Sequence, residues 1–115
     1  MKEVNRKFEY KGETYTLVFN LNSMEAIQEE YKTLEAWGAL TDGKNGETNI
    51  KALVFGFTAM INEGIEIENE DNGTNKPLLS TKKVARMISE IGLKKVTGDM
   101  NDLVIESAGD DSKNG

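Results

Sequence analysis

The sequence contains neither cysteine nor histidine in its 115 residues, and it has a single proline. Without cysteine, disulfides, thiolate nucleophiles and Cys-based zinc sites are excluded. Without histidine, the chain lacks the usual general base near neutral pH and the commonest transition-metal ligand, so only carboxylates, lysines and hydroxyls remain for chemistry. These absences predict a protein that is not an enzyme.

Long apolar segments are missing as well. The longest apolar run, residues 52–61, is interrupted by Gly56 and Thr58. It is far shorter than the about 20 residues that a membrane-spanning helix needs, so we expect a core helix there. The N-terminal residues contain no apolar stretch like that of a signal peptide. We therefore expect no membrane partner and a cytoplasmic location.

The charge of the chain is negative overall and unevenly distributed. The net charge of −6 argues against nucleic acid as a partner, because affinity for phosphates comes from clustered lysine and arginine. Residues 63–71 are acidic, whereas residues 82–95 are mainly basic. The basic side chains of that second segment are Lys82, Lys83, Arg86, Lys94 and Lys95.

Alternation of apolar and polar residues predicts a β-hairpin at the N-terminus. With Lys11 and Gly12 as the two turn residues, Phe8 pairs with Tyr15 and the aromatic face is continuous across both strands. Two strands alone are marginally stable in water, so this face must pack on helices.

Apolar residues at helical spacing predict three or four helices after the hairpin. The first begins at Asn22 in a capping box with Glu25 and stops at Gly38. The second, capped by Thr48, ends at Gly64. A polar connection over residues 64–79 follows, with a short strand at residues 65–67. Ser80 caps a third helix that ends at Gly92. A last helix, weakened by Gly98, contains Val96 and Val104.

The expected fold class is therefore α+β, with an N-terminal two-stranded antiparallel hairpin packed on three to four α-helices. Its length fits a single globular domain, which we expect over residues 1–106. Residues 107–115 carry no apolar side chain after Ala108 and are predicted to form a disordered acidic tail.

Two stretches approach ligand-binding motifs without completing them. Residues 38–45 follow the pattern of a phosphate-binding loop, but Asn45 replaces the Ser or Thr that would hold magnesium, and a helix precedes the loop. Residues 68–73 imitate the start of a calcium loop, but Leu79 occupies the position of the bidentate Glu. We expect no cofactor and no metal.

The second helix is apolar on two sides, which makes one side a candidate partner-binding surface. Phe55 stands there with Ala52 and Ala59, and small residues around one aromatic make a flat surface for another helix, either of this chain or of a partner. Trp37 is a candidate interface anchor because tryptophan is enriched at binding hot spots, with core packing as the alternative. Leu78 is the fifth candidate partner-binding residue.

A family resemblance rests on the order of these elements within residues 7–93. Its pieces are the hairpin ending at residues 15–22, the first helix with residues 24–30, the apolar helix from Ile50, and the helix opened by Ser80. This order resembles the tail assembly chaperones of long-tailed, non-contractile bacteriophages and their prophages. The resemblance implies a non-enzymatic chaperone in the host cytoplasm that binds the tape measure protein, or another phage tail protein, until tail tube subunits replace it.

Two other functions stay open at this stage. The basic segment would suit a small nucleic-acid-associated regulator, whose binding constant would fall steeply with salt. The acidic net charge would suit an inhibitor that mimics DNA. The apolar side of the second helix could also bind a second copy of this chain, which would make the protein a homo-oligomer.

Overall fold

A computed structural model describes residues 3–44 and 46–114, with side chains up to Ser107. This part of the chain forms two strands and five helices. They are β1 (Val4–Tyr10), β2 (Glu13–Phe19), α1 (Leu21–Tyr31), α2 (Leu34–Thr41), α3 (Ile50–Asn72), α4 (Thr81–Ile91) and α5 (Leu93–Asn114). The predicted α+β class with an antiparallel hairpin packed on helices is confirmed, with one helix more than the upper estimate.

The hairpin has the predicted register. Phe8 pairs with Tyr15, and their rings stack at 5.6 Å. Lys11 and Gly12 both have positive φ, 50° and 81°, as the tight turn between two twisted strands requires. Phe8 also contacts Phe57 of α3, with ring centroids 5.7 Å apart. The aromatic face of the hairpin therefore packs on the helices, as expected.

α3 is the central element and contacts β2, α1, α2 and α4. It approaches β2 so closely at Gly64 that a Cβ on this residue would overlap the carbonyl oxygen of Thr16 and stand 3.0 Å from the carbonyl carbon. Gly56 is equally restricted, because a Cβ there would overlap the indole of Trp37. The core combines fully buried side chains of α3 with those of its neighbours, and these include Leu53, Met60 and Ile61 of α3 and Phe19, Ile27, Val84 and Met87 of the other elements.

The first predicted helix is two helices. α1 is capped by Asn20, whose side chain accepts hydrogen bonds from the amides of Asn22 and Ser23, so the capping box at Asn22 was wrong. Lys32 turns the chain with a φ of 74°, and Thr33 then caps α2. Gly38 lies inside α2 and does not end it. A single positive-φ residue therefore ends α1, and the Thr cap that directly follows it starts α2.

The second predicted helix is longer than expected. α3 is capped by Asn49 instead of Thr48, and it continues through Gly64 to Asn72. Gly73, with a φ of 64°, is its actual C-terminal cap. The predicted strand at residues 65–67 is wrong, because these residues continue α3. One glycine costs a helix only about 1 kcal/mol, which tertiary packing outweighs here.

The connection from α3 to α4 lies along α3 and is held by two asparagines of that helix. Asn69 accepts from the amide of Lys76 at 2.9 Å and donates to its carbonyl at 3.0 Å. Asn62 does the same for Leu79, at 2.8 and 3.0 Å. Each side chain thus satisfies both backbone groups of one residue, which fixes the entry of the chain into α4.

The third predicted helix, α4, begins and ends as predicted. Ser80 caps α4, and Gly92, with a φ of 114°, ends it. α5 continues to Asn114, past the predicted boundary at residue 106, and Ser107 is buried with its hydroxyl donating to the carbonyl of Val104. The side chains beyond Ser107, and with them the surface of the predicted tail, lie outside the described residues. None of the helices described combines the length and apolar character needed to cross a bilayer.

Candidate partner-binding groove

An apolar groove opens at the surface where α3 and α4 begin. We call it the α3–α4 groove; its volume is about 310 Å³, and it is lined by Lys51, Val54, Phe55, Thr81, Lys82 and Ala85. All six residues belong to the first or second turn of their helix. The groove is therefore built from the N-terminal turns of two helices that are distant in sequence.

Phe55 is the largest apolar side chain in this groove. It is partly buried, and its ring meets the edge of the Tyr31 ring of α1 at 5.6 Å and 72°. Edge-to-face pairs of this kind are worth about 0.5–1.5 kcal/mol beyond their burial. Burial raises the pKa of Tyr31, and the charge of Glu30 adds to that shift. Phe55 is thus held by α1 on one side and lines the groove beside Ala85.

Side-chain caps fix where the two helices that line the groove begin. The side chain of Asn49 accepts from the amide of Ala52 at 3.0 Å, and that of Ser80 accepts from the amide of Lys83 at 3.1 Å. α4 buries Val84 against the core, which leaves the next residue, the small Ala85, at the groove. A larger residue at this position would fill the space next to Phe55.

The rim of the groove is basic. Lys51 lies in the first turn of α3, and Lys82 and Lys83 lie in the first turn of α4, while neither turn contains an acidic residue. Within the described part of the chain, no carboxylate lies within 4.0 Å of Lys51 or Lys82. The partial positive charge of a helix N-terminus adds to that of the lysines. This region is positive on a chain whose net charge is −6.

Two predicted site residues belong to the core instead. Trp37 is 1% exposed, and its Nε1 donates a hydrogen bond to the carbonyl of Ala52, itself fully buried, at 2.8 Å. This bond joins α2 to α3 and leaves neither residue at the surface. Core packing, the alternative considered for Trp37, describes its position in this fold.

The remaining predicted site residues are not brought together. Ala59 lies one turn after Phe55 on α3 and is partly buried, but it does not line the groove. Leu78 is 49% exposed in the connection before α4 and lies outside the groove as well. Of the predicted set, only Phe55 reaches the groove. Val54 was missed because it follows the core spacing of α3, and Ala85 because a small residue beside the core residue Val84 gives no signal of its own. The first-turn lysines carried the one readable signal.

A second, more polar groove of about 380 Å³ lies between the outer face of the hairpin and the second half of α3. Lys7 lines it together with Glu68 and Asp71 of α3. The residues compared above with a calcium loop form the end of α3, so they do not surround an ion as a loop would. Glu68 instead contacts Lys76 at 2.7 Å, and this hydrogen bond, with the accompanying charge attraction, raises the pKa of Lys76.

The phosphate-loop stretch is not a loop at its start, since Gly38 and the three residues after it are helical; its Asn45 lies outside the described residues. Within those residues, no group of three or more acidic side chains is placed to hold a metal ion.

Comparison with protein-family models, curated proteins and solved structures gave no match.

Proposed function

We propose that this protein is a non-enzymatic assembly chaperone that binds a phage tail protein, in the first place the tape measure protein, in the bacterial cytoplasm. The observation that supports the binding role is the α3–α4 groove, in which Phe55 is accessible beside small and apolar neighbours. Aromatic anchors in such settings contribute most of the energy of protein interfaces. The order of elements over residues 7–93, which resembles tail assembly chaperones, supplies the class of partner.

The groove also has the anatomy of an interface. Val54, Phe55 and Ala85 form an apolar floor, and two lysines stand at its rim. Interfaces combine an apolar centre with a polar rim in this way. A partner side chain inserted over Phe55 would remove that floor from water.

The test is to look for a tape-measure-like reading frame immediately downstream of this gene and to co-express its product with a tagged form of this chain, followed by purification through the tag. We expect the two proteins to co-purify, and Phe55→Asp to abolish this while circular dichroism shows a folded chain. Ile105→Asp is the control, because Ile105 is 66% exposed on α5, away from the groove. Absence of such a reading frame would contradict the proposal, and so would a downstream product that does not co-purify with the native chain.

A nucleic-acid-associated regulator is the second candidate, because Lys82, Lys83 and Arg86 are all exposed on α4. Residues three and four positions apart share a helix face, so these side chains form one basic patch. Titration of a labelled DNA duplex at increasing salt separates the candidates. Tight binding that weakens steeply with salt would favour the regulator, and we expect no binding at physiological salt. The DNA-mimic alternative requires an acidic surface, which this patch interrupts.

A further inference from the structure

The first turns of α3 and α4 carry positive charge where helices favour negative charge. Asp and Glu stabilise the first turn of a helix, because they offset the partial positive charge of the N-terminal amides. α3 has Lys51 there, and α4 has Lys82 and Lys83, with no acidic residue in either turn. These lysines therefore oppose the stability of the free chain.

Two of these lysines line the same groove from opposite sides. Lys51 belongs to the α3 wall and Lys82 to the α4 wall, with Phe55 on the floor. Four cations of the described residues have an acidic neighbour within 4.0 Å, namely Arg6, Lys11, Lys76 and Lys95, while the remaining ones have none. Lys51 and Lys82 have none in the same part of the chain, so the groove combines an apolar floor with uncompensated positive charge on both walls.

The backbone around the groove limits how a partner can bind. Every lining residue lies in a helix, so the groove offers no exposed strand edge on which a partner strand could be added. A partner must contact the groove through side chains. An α-helix does so by presenting apolar residues three and four positions apart to a groove.

We propose that the α3–α4 groove accepts one face of a partner α-helix whose apolar residues are bordered by Asp or Glu. The apolar residues pack on Phe55, and the carboxylates pair with Lys51 and Lys82 and with the helix N-termini behind them. This inference rests on the proposed function and specifies the chemistry of the bound segment. Nucleic acid fits less well, because phosphates gain nothing from the apolar floor.

The test uses two designed helical peptides with the same apolar face, one bordered by glutamates and the other by lysines. Fluorescence anisotropy measures their binding to the full chain and to the Lys51→Glu/Lys82→Glu variant. We expect the native chain to bind the glutamate peptide about tenfold more tightly or better, since paired charges across an interface set specificity. The double variant should reverse this preference, and Phe55→Asp should weaken binding of both peptides.

Thermal melting separates binding from folding in the same variants. Lys51→Glu/Lys82→Glu should melt at a higher temperature than the native chain, because it places acids in two first turns. Lys94→Glu is the matched control: Lys94 is exposed in the first turn of α5 and outside the groove, so this change should leave peptide preference unaltered. Lost binding with higher stability is a result that unfolding cannot produce.

Equal affinity of the native chain for both peptides, binding of neither, or the same preference in the double variant would each overturn the inference. Tighter binding of a DNA duplex through the same lysines would assign the groove to nucleic acid and would also overturn it. If the tape measure protein co-purifies equally with the native chain and the double variant, the proposed function stands and the groove inference fails. If the glutamate peptide binds but the tape measure protein does not, the groove inference stands and the proposed function fails.

Discussion

Replacing Gly64 by alanine tests the closest contact in the fold. An ideal Cβ at this position overlaps the carbonyl oxygen of Thr16 and lies 3.0 Å from its carbonyl carbon. The obstacle is backbone, so it cannot move aside like a flexible side chain. Overpacking that shifts backbone costs about 1–3 kcal/mol, occasionally more, and a direct overlap with a carbonyl oxygen belongs to the upper end of that range, whereas alanine returns about 1 kcal/mol of helix propensity. We expect Gly64→Ala to lower the free energy of unfolding by about 2 kcal/mol or more.

Gly98→Ala is the matched control for this prediction. Gly98 also lies inside a helix, but a Cβ there meets nothing within 4 Å. The same substitution should therefore raise the free energy of unfolding, by about 0.5–1 kcal/mol. Urea denaturation followed by circular dichroism measures both variants. If Gly64→Ala proved neutral or stabilising like Gly98→Ala, the close approach of α3 to β2 would be wrong.

Three further predictions concern the core, the connection and the pH dependence. Phe57→Ala should destabilise the chain by about 3–5 kcal/mol in urea denaturation, because it empties a site that is 2% exposed. Asn69→Ala should release the connection and speed its cleavage in limited thermolysin digestion, whereas Asn75→Ala, in the same exposed segment, should not; equal rates would contradict the clamp. Burial raises the pKa of Tyr31, so its phenol ionises more easily in the unfolded chain. The stabilising contribution of the neutral Tyr31 phenol is complete below about pH 10 and is lost as the pH rises through its folded pKa. Above that pH the urea midpoint of Tyr31→Phe should fall less steeply than that of the native chain. Identical profiles would refute this role.

The hairpin and the α4 caps could be predicted because their signals are local. Alternation and the Lys11–Gly12 pair determine the register, and Ser80 caps the helix that directly follows it. The glycines misled the prediction because one residue type has two uses. Gly73 ends a helix through its left-handed backbone, while Gly64 lies inside one because it lacks a Cβ. Only the tertiary contact distinguishes the two uses.

The candidate site was only partly predictable for a similar reason. Periodicity singled out Phe55, which lines the groove, but it grouped this residue with neighbours on α3. The contacts that decide the site come from elsewhere: the Trp37 indole of α2 covers Ala52, and α4 supplies the other wall with Ala85. A helix in isolation cannot show which of its apolar sides a later helix will leave open.

The lysines at the groove show where local and tertiary information can be combined. A Ser or Asn cap followed by lysine is visible in the sequence at Asn49 and Ser80, and it departs from the acidic preference of a first turn. Local preferences and fold agree over most of a natural chain, and departures from them concentrate at functional sites. Either departure alone would be a minor loss of helix stability. Because the fold brings both departures to one apolar groove, the groove has positive charge on both walls. This charge is the basis of the partner chemistry that we propose for it.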